Sequence, residues 1–484
     1  MITALNFING QWCPSSTGAF ATSSDPVNGA AIGSFSDSSL IDGKFAVDAA
    51  KIAFEKPQWS QNPRLRQMVL LRWADSLEKN IETLAILLTR ENGKVVAQSR
   101  GEIISAISEI RYYAGLTRYM PGHILEVEPG VFSMILKEPA GVAGIIVPWN
   151  APAVLLIRSL APALATGCTA VIKPSPQTAL ITAALIKELI SIEGCINGVV
   201  NLVNEVSSEV ASYLTTSPDV SVLSFTGSNE VGQKIMAAAA PTMKKLSLEL
   251  GGKSACLVFP DVDIDSVASH LAIASTVISG QQCTAARRVL VHDSCYEKFK
   301  ISLASKLRNI RVGPGFDVGI QMGPMIDFRN ANVVGRQIEE AMASADEVVV
   351  RGITKIAAPG DGAFLTPTLI AHQDCKASFI QEEIFGPLVV IERFSDEADA
   401  VMRANDSIYG LSASVWTRDG ALSMRIARAL KNGTVWINDH NKLIAEAETG
   451  GYRQSGLGRL HGYDALIDFQ EIKHIYQNVG VIEQ

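Results

Sequence analysis

A cysteine, a glutamate, an asparagine and a lysine stand in settings that suit reactive chemistry. Cys283 lies in SGQQCTAARR, among Gly280, Gln281, Gln282 and Thr284, with Arg287 and Arg288 following. A free cysteine is most often a small buried hydrophobe, the reading that suits Cys168, Cys195 and Cys256. The polar company of Cys283 sets it apart. Thiolate is the reactive form, and an intrinsic pKa of about 8.5 leaves only a few per cent ionised near neutral pH unless a base or oriented amides help. Glu249 closes the run KLSLEL, in which Leu246, Leu248 and Leu250 share one face and Ser247 and Glu249 the other. It is either part of a solvated strand face or a general base, and the Gly251-Gly252 turn beside it favours the base. Asn150, after Pro148-Trp149, either caps a helix beginning at Ala151 or offers its amide to a developing oxyanion. Loss of one such donor costs about 2.7–4 kcal/mol. Lys173, before Pro174, is a surface lysine or a ligand clamp, and the carboxyl end of a strand favours the clamp. In Phe225-Thr226-Gly227-Ser228, with Gly232 a turn later, glycine permits a tight turn and the helix start offers N–H groups to a phosphate. Alone, that motif reads first as a turn without a ligand.

Positioning these groups falls to alternating strands and helices. Over residues 144–250, the runs GIIVP (144–148), TAVIK (169–173), VVNLV (199–203), VSVLSF (220–225) and KLSLEL (245–250) alternate with helical patterns such as 178–194 and 229–240. That order predicts βα units, a mostly parallel sheet with helices on both faces and ligands at the carboxyl ends of the strands. A second set of βα signals runs over 255–437, with a boundary near Gly251-Gly252. Within it, the polar interval 311–361, with Gly313, Pro314, Gly323, Pro324, Pro359 and Gly360, reads as loop-rich surface. N-terminal helices are expected over about 43–56, 64–92 and 98–119, packed on the first sheet. The tail IDFQEIKHIYQNVGV reads as a lone strand whose edge needs a neighbour, a second subunit being one.

The 484 residues exceed a single small module; at about 150 residues per domain they suggest roughly three domains or one large two-domain body. Hydrophobic residues at 47% supply a large core, and a net charge of −7 argues against a general grip on nucleic acid or an anionic membrane. Seven scattered cysteines without a CxxC pair fit a reducing compartment. The start MITALNFINGQW has no basic region followed by an apolar run, so no signal peptide is expected. The uncharged stretch 139–157 is interrupted by Pro148, Asn150 and Pro152 and reads as strand, turn and helix start, not a membrane span. The expectation is a soluble, cytoplasmic protein.

Taken together, PWN (148–150), KPSPQTA (173–179), FTGS (225–228), ELGGKS (249–254), GQQC (280–283) and EEIFGPL (382–388) resemble the aldehyde dehydrogenase superfamily, in the same order and at similar separations. The resemblance runs from INGQW to GGYRQSGLGR. It implies an α/β fold with two Rossmann-like doubly wound βα domains and a small β oligomerisation element. The implied partition is a nucleotide-binding domain over 1–121 and 141–251, a catalytic domain over 252–451, and an oligomerisation element over 122–140 and 467–484. It also implies NAD(P)-dependent oxidation of an aldehyde to the acid. Cys283 resembles the nucleophile that forms a thiohemiacetal and then a thioester, Asn150 the oxyanion donor and Glu249 the base for hydrolysis. Lys173 resembles the adenosine-ribose contact, Glu383 the nicotinamide-ribose contact and Phe385 the apolar wall, with Gly227 and Ser228 at the pyrophosphate turn. Pro148, Trp149, Ser175, Pro176 and Leu250 fill out the cofactor cleft; no metal is implied.

Pro176 stands where many NAD-preferring members carry a glutamate, so NAD is expected to be preferred with measurable use of NADP. Ser159 replaces a common lysine and Leu460 a glutamate. Arg158 occupies a tunnel position that is often aromatic, and arginine there occurs in relatives acting on semialdehydes or on benzaldehyde-type substrates. The substrate is therefore expected to be a polar semialdehyde or an aromatic aldehyde. Asp439, His440 and Lys442 either make the tunnel polar or face solvent. The remaining partners expected are further copies of the chain, as a homodimer or homotetramer, with no nucleic acid or membrane. The rival readings are a CoA-acylating relative, against which Glu249 speaks, and a non-catalytic structural protein on the same fold.

Overall fold

β-branched, uncharged runs become central strands because both of their faces are covered. In the computed structural model, which describes residues 2–356 and 362–482, GIIV lies in the strand Val142–Val147. It pairs in parallel with Thr169–Pro174 on one side and Val222–Thr226 on the other. The sheet is extended by Lys245–Glu249 and Val200–Leu202, also parallel, and is closed at its edges by Gly456–Leu457 and by the hairpin Asn6–Ile8 and Gln11–Cys13. The carboxyl ends at Val147, Pro174, Thr226 and Glu249 thus share one rim.

Helices Pro63–Lys79, Ile81–Asn92 and Val96–Leu116 cover this sheet through Trp73, Leu77, Ile103, Ala106 and Ile110, packed with Ile145 and Ile172 in one core. The helix expected over 64–92 is broken at Asn80, whose Nδ2 donates to the Ser76 carbonyl at 3.0 Å and to Glu188 at 3.2 Å. Pro152 at the first turn and Gly167, at φ 105°, bound the buried helix Pro152–Thr166 that follows the first strand. The stretch 139–157 is accordingly divided into strand, turn and helix, and among the described residues no helix is long and apolar enough to cross a membrane.

The second sheet has the order Glu347–Val350, Thr368–Ala371, Leu388–Phe394, Arg288–His292, Ala255–Val258, Ser412–Trp416 and Thr434–Ile437, parallel except for its first pair. The interval 311–361 departs from the expectation of loop-rich surface. It contains the helix Phe328–Ser344, capped by Asp327 and burying Ala331, Val334, Ile338, Ala341 and Met342. Those positions repeat at helical spacing, while the polar residues between them form the outer face. Met322, Met325 and Ile326 are buried as well. Pro359 and Gly360 lie outside the described residues.

The tail strand Gln470–Asn478 is not alone. It pairs antiparallel with Val131–Pro139 over nine register positions, from Gln470 opposite Pro139 to Asn478 opposite Val131. His123–Glu128 completes this three-stranded sheet, so the first neighbour of the tail comes from its own chain and not from a second subunit.

Candidate active site

Three segments bring the reactive side chains to the rim of the first sheet. Cys283 follows a turn in which Ile278, Ser279 and Gly280 have φ of 49°, 56° and 73°. A β-branched residue at positive φ is an outlier, and each such residue costs about 1–3 kcal/mol unless its surroundings enforce it. Here they do. Ser279 Oγ donates to the carbonyls of Gly323 at 2.7 Å and Pro324 at 2.9 Å. Gln281 Oε1 accepts from Ile326 N–H at 3.0 Å, and the buried Arg287 fork reaches the carbonyls of Gly280 and Gly386. A Cβ on Gly280 would stand 2.4 Å from Gly386 O, so space as well as φ requires glycine.

The Cys283 and Glu249 side chains keep some surface open to the cleft, yet protein surrounds them. Burial pushes the Cys283 thiol up to about 12, helped by the carboxylates of Glu383 and Glu249 and opposed by Arg158 and the Thr284 N–H. Burial likewise raises Glu249 to about 8; Arg158 and Arg459 oppose it and Asp468 adds to it. Glu249 Oε1 is buried without a hydrogen-bond partner, against Gly450, where a Cβ would come within 2.9 Å. Burial makes the ionised form of such a carboxyl more basic than a free one, a property that suits a general base.

Asn150 does not cap the helix. Glu102, from Val96–Leu116, takes that role by accepting from the N–H groups of Ala153 at 2.8 Å and Val154 at 3.3 Å. The Asn150 amide instead donates to Gln281 O at 3.0 Å, in the turn that carries Cys283, and its second N–H remains to be given. The main-chain carbonyl of Asn150 accepts from Lys94 Nζ at 2.7 Å, and Lys94 pairs with Glu102, both buried. Asn92 Nδ2 donates to Trp149 O at 2.7 Å. Burial draws the Lys94 pKa down and Glu102 opposes that. Nothing in the sequence marked Lys94, Asn92 or Glu102, since a lysine between two helices reads as surface.

A cleft suited to a dinucleotide adjoins this group. Gly227 leads into Ser228, which caps Asn229–Ala239 by accepting from Val231 N–H at 3.4 Å. A Cβ on Gly232 would come within 2.6 Å of Leu250, so the helix lies close on the strand end. Lys173 Nζ is 3.7 Å from Glu205 Oε1, beyond hydrogen-bond range, which leaves its donors for a ligand hydroxyl. Ser175 Oγ donates to Gln177 at 2.5 Å, and Pro176 opens the single turn Pro176–Thr178. Across the cleft, Glu383 Oε1 accepts from Gly252 N–H at 3.1 Å, and Phe385 meets Trp149, which follows Pro148, edge-on at 5.6 Å. Helix start, lysine, carboxylate and aromatic wall fit a dinucleotide. Among the described residues no His, Cys, Asp and Glu cluster could hold a metal.

Arg158 projects from Pro152–Thr166 into a buried polar group of which the sequence motifs mark only Arg158 itself. Its Nε is 3.7 Å from Glu109 Oε1, which is 3.0 Å from His461 Nδ1. Arg158 Nε, Glu109 Oε2, Tyr113 OH and His461 Nε2 have no hydrogen-bond partner. Burial first, and Arg158 second, lower the His461 pKa. The loop after Thr434–Ile437 divides: His440 is buried, with Nε2 2.7 Å from Thr284 O, whereas Asp439 is half-buried beside His270 and Lys442 is exposed. Burial lowers His440 to about 4, so it is a neutral tether for the residue after Cys283. Ser159 bonds Ser224 at 2.8 Å and Leu460 is buried.

The sequence model of the aldehyde dehydrogenase family matches residues 12–475. Betaine aldehyde dehydrogenase of Bacillus subtilis (strain 168) is 36% identical over 98% of this chain and 97% of that protein. Succinate-semialdehyde dehydrogenase [NADP(+)] of Escherichia coli (strain K12) is 36% identical over 97% of this chain and 96% of its own length. The crystal structure of betaine aldehyde dehydrogenase from Staphylococcus aureus in complex with NAD+ superposes with a TM-score of 0.95 at 34% identity, covering 99% of this chain and 96% of that one. With the motifs in order, the rim geometry in place and both chains matched end to end, this protein belongs to the aldehyde dehydrogenase family.

Proposed function

We propose that the chain oxidises an aldehyde to its carboxylic acid with NAD, using Cys283 as nucleophile, Asn150 as oxyanion donor and Glu249 as base. The observation that carries the reading is the convergence of these three at one strand rim, where Asn150 is tied to the turn of Cys283 and Glu249 Oε1 is buried without a partner. A bound nicotinamide dinucleotide supplies the hydride acceptor; Gly227, Ser228, Lys173, Glu383 and Phe385 would hold it, with Pro148, Trp149, Ser175, Pro176 and Leu250 around them. As Cys283 Sγ bonds to the carbonyl carbon, its proton passes to Glu249 in its ionised form, which then gives that proton up to water, and the oxyanion forms against the free Asn150 N–H and the Cys283 backbone N–H. After oxidation, with Glu249 again ionised, water attacks the thioester, Glu249 takes a proton from it, and Cys283 departs as a thiolate that regains its proton from Glu249.

The Glu109 carboxylate beside Arg158 favours a neutral aromatic or hydroxylated aldehyde over a carboxylated one, because the arginine charge already has a counter-ion. The unpartnered Arg158 Nε keeps the semialdehyde as the second reading. The sheets support the partition 1–121 with 141–251, 252–451, and 122–140 with 467–484, although Gly456–Leu457 joins the first sheet. Seven free thiols support a cytoplasmic site. Exposed Ile124, Leu125, Val127, Ile472 and Tyr476 on the three-stranded sheet support a homodimer or homotetramer.

The test is purified protein with NAD and, separately, benzaldehyde, succinic semialdehyde and propanal, reading NADH and acid. Benzaldehyde should turn over best. Acid from none of them would remove the reading, and product only on addition of CoA would favour the acylating alternative.

A further inference from the structure

The adenosine end of the cleft lacks an acid at position 176, yet an acid lies beside it. Glu205 follows the strand Val200–Leu202, the neighbour of Thr169–Pro174, so the parallel pairing sets it next to Lys173. Its carboxylate is fully buried and is held by the N–H groups of Val210 at 2.8 Å and Ala211 at 3.0 Å and by Ser207 Oγ at 3.2 Å. These contacts anchor it at the start of the helix Glu209–Thr216 and aim Oε1 toward the Lys173 ammonium, 3.7 Å away. Pro176, Gln177 and Val206 also line a cavity of about 370 Å³ with Ser23, Glu91 and Asp327, to which neither Lys173 nor Glu205 contributes.

Resting on the cofactor reading above, we propose that Glu205 is the specificity residue that sets NAD above NADP, by neutralising Lys173 and opposing a phosphate on the adenosine ribose. A ribose hydroxyl is served by a lysine donor with a carboxylate behind it. A phosphate in the same place brings about two further negative charges toward a buried carboxylate, with the lysine charge already balanced. The helix Glu209–Thr216 explains why the carboxylate is well ordered; the Lys173 contact explains why it bears on the ligand.

Equilibrium binding by calorimetry tests this without turnover. The parent protein should bind NADP about tenfold or more weakly than NAD, and 2′,5′-ADP more weakly than 5′-ADP, since juxtaposed like charges cost several kcal/mol. Glu205→Gln should narrow the NAD-to-NADP ratio by about tenfold. Adding Pro176→Glu to that variant should widen the ratio again by returning a carboxylate to the other side of Lys173. A folded Glu205→Gln protein with an unchanged ratio would reduce Glu205 to a helix cap and overturn the proposal. Should that variant not fold, the parent still decides: NADP bound as tightly as NAD overturns the proposal, whereas a parent that binds neither nucleotide overturns the cofactor reading itself.

Discussion

Buried charge is handled in opposite ways in two parts of this molecule. Inside the second sheet, Arg288 lays its fork on Glu392 on the adjacent strand, with Nε 2.7 Å and Nη2 2.8 Å from the two carboxylate oxygens and both side chains sealed from solvent. Around Glu249 and Arg158, by contrast, Glu249 Oε1, Glu109 Oε2, Arg158 Nε and His461 Nε2 are buried without partners. The same chain therefore satisfies both oxygens of Glu392 with one bidentate fork, leaving only Arg288 Nη1 without a partner, whereas around Glu249 and Arg158 four polar atoms have none. Pairing suits structure, and incompleteness suits chemistry.

The largest effect that tests this contrast is at Cys283. Cys283→Ala should abolish acid formation while leaving the melting temperature and NAD binding unchanged; activity within tenfold of the parent would require another nucleophile. Glu249→Gln comes next, with turnover lowered by about 10²–10⁴-fold. Rapid mixing should show a burst of NADH before slow hydrolysis, and unchanged steady-state turnover would remove Glu249 from the base role. The same variant reports on pH. Because the folded protein raises Glu249 from 4.5 to about 8, its protonated form adds stability that is full below 4.5 and is lost as the pH rises toward 8. Glu249→Gln should flatten that fall in melting temperature, and a parallel fall in the variant would assign the loss to other groups.

Glu392→Ala should do the reverse of Glu249→Gln, destabilising the fold by about 3–5 kcal/mol because it strands a buried guanidinium. Denaturant titration measures this, and a loss below about 1 kcal/mol would mean that water reaches Arg288. The smallest effect is expected at Arg158. Arg158→Met should alter KM for benzaldehyde and propanal little if Glu109 already balances the charge, but raise KM for a carboxylated aldehyde about tenfold if the substrate displaces that contact. A tenfold rise for the carboxylated aldehyde alone would turn the substrate assignment to semialdehydes.

The candidate residues are legible in the sequence because they stand in short local motifs, three of them, Asn150, Lys173 and Glu249, at or next to strand ends. Cys283, Glu249, Asn150, Lys173 and Glu383 each occur in such a segment, and alternation in KLSLEL is enough to put Glu249 on the face opposite the leucines. Their supports are not legible. Glu102, Lys94, Glu109 and Glu205 meet the site from other helices and strands, and a sequence does not show which distant carboxylate a fold will bury beside which cation. Asn150 shows the cost: two roles fit the sequence equally, and only Glu102, on another helix, displaces the asparagine from the cap. The helix Phe328–Ser344 is hidden for a different reason, its apolar stripe being narrow and flanked by glycines and prolines that signal loops.

The turn at Ile278, Ser279 and Gly280 is wound against its own preference and held by Gly323, Pro324 and Ile326. A spring held by a few latches releases when the latches loosen, and Ser279→Ala, which removes two of them, tests whether the turn then opens before either sheet dissolves. On warming, the protein should fail first as a catalyst and only later as a fold, its thiol becoming an ordinary solvent-reachable cysteine while both sheets are still intact.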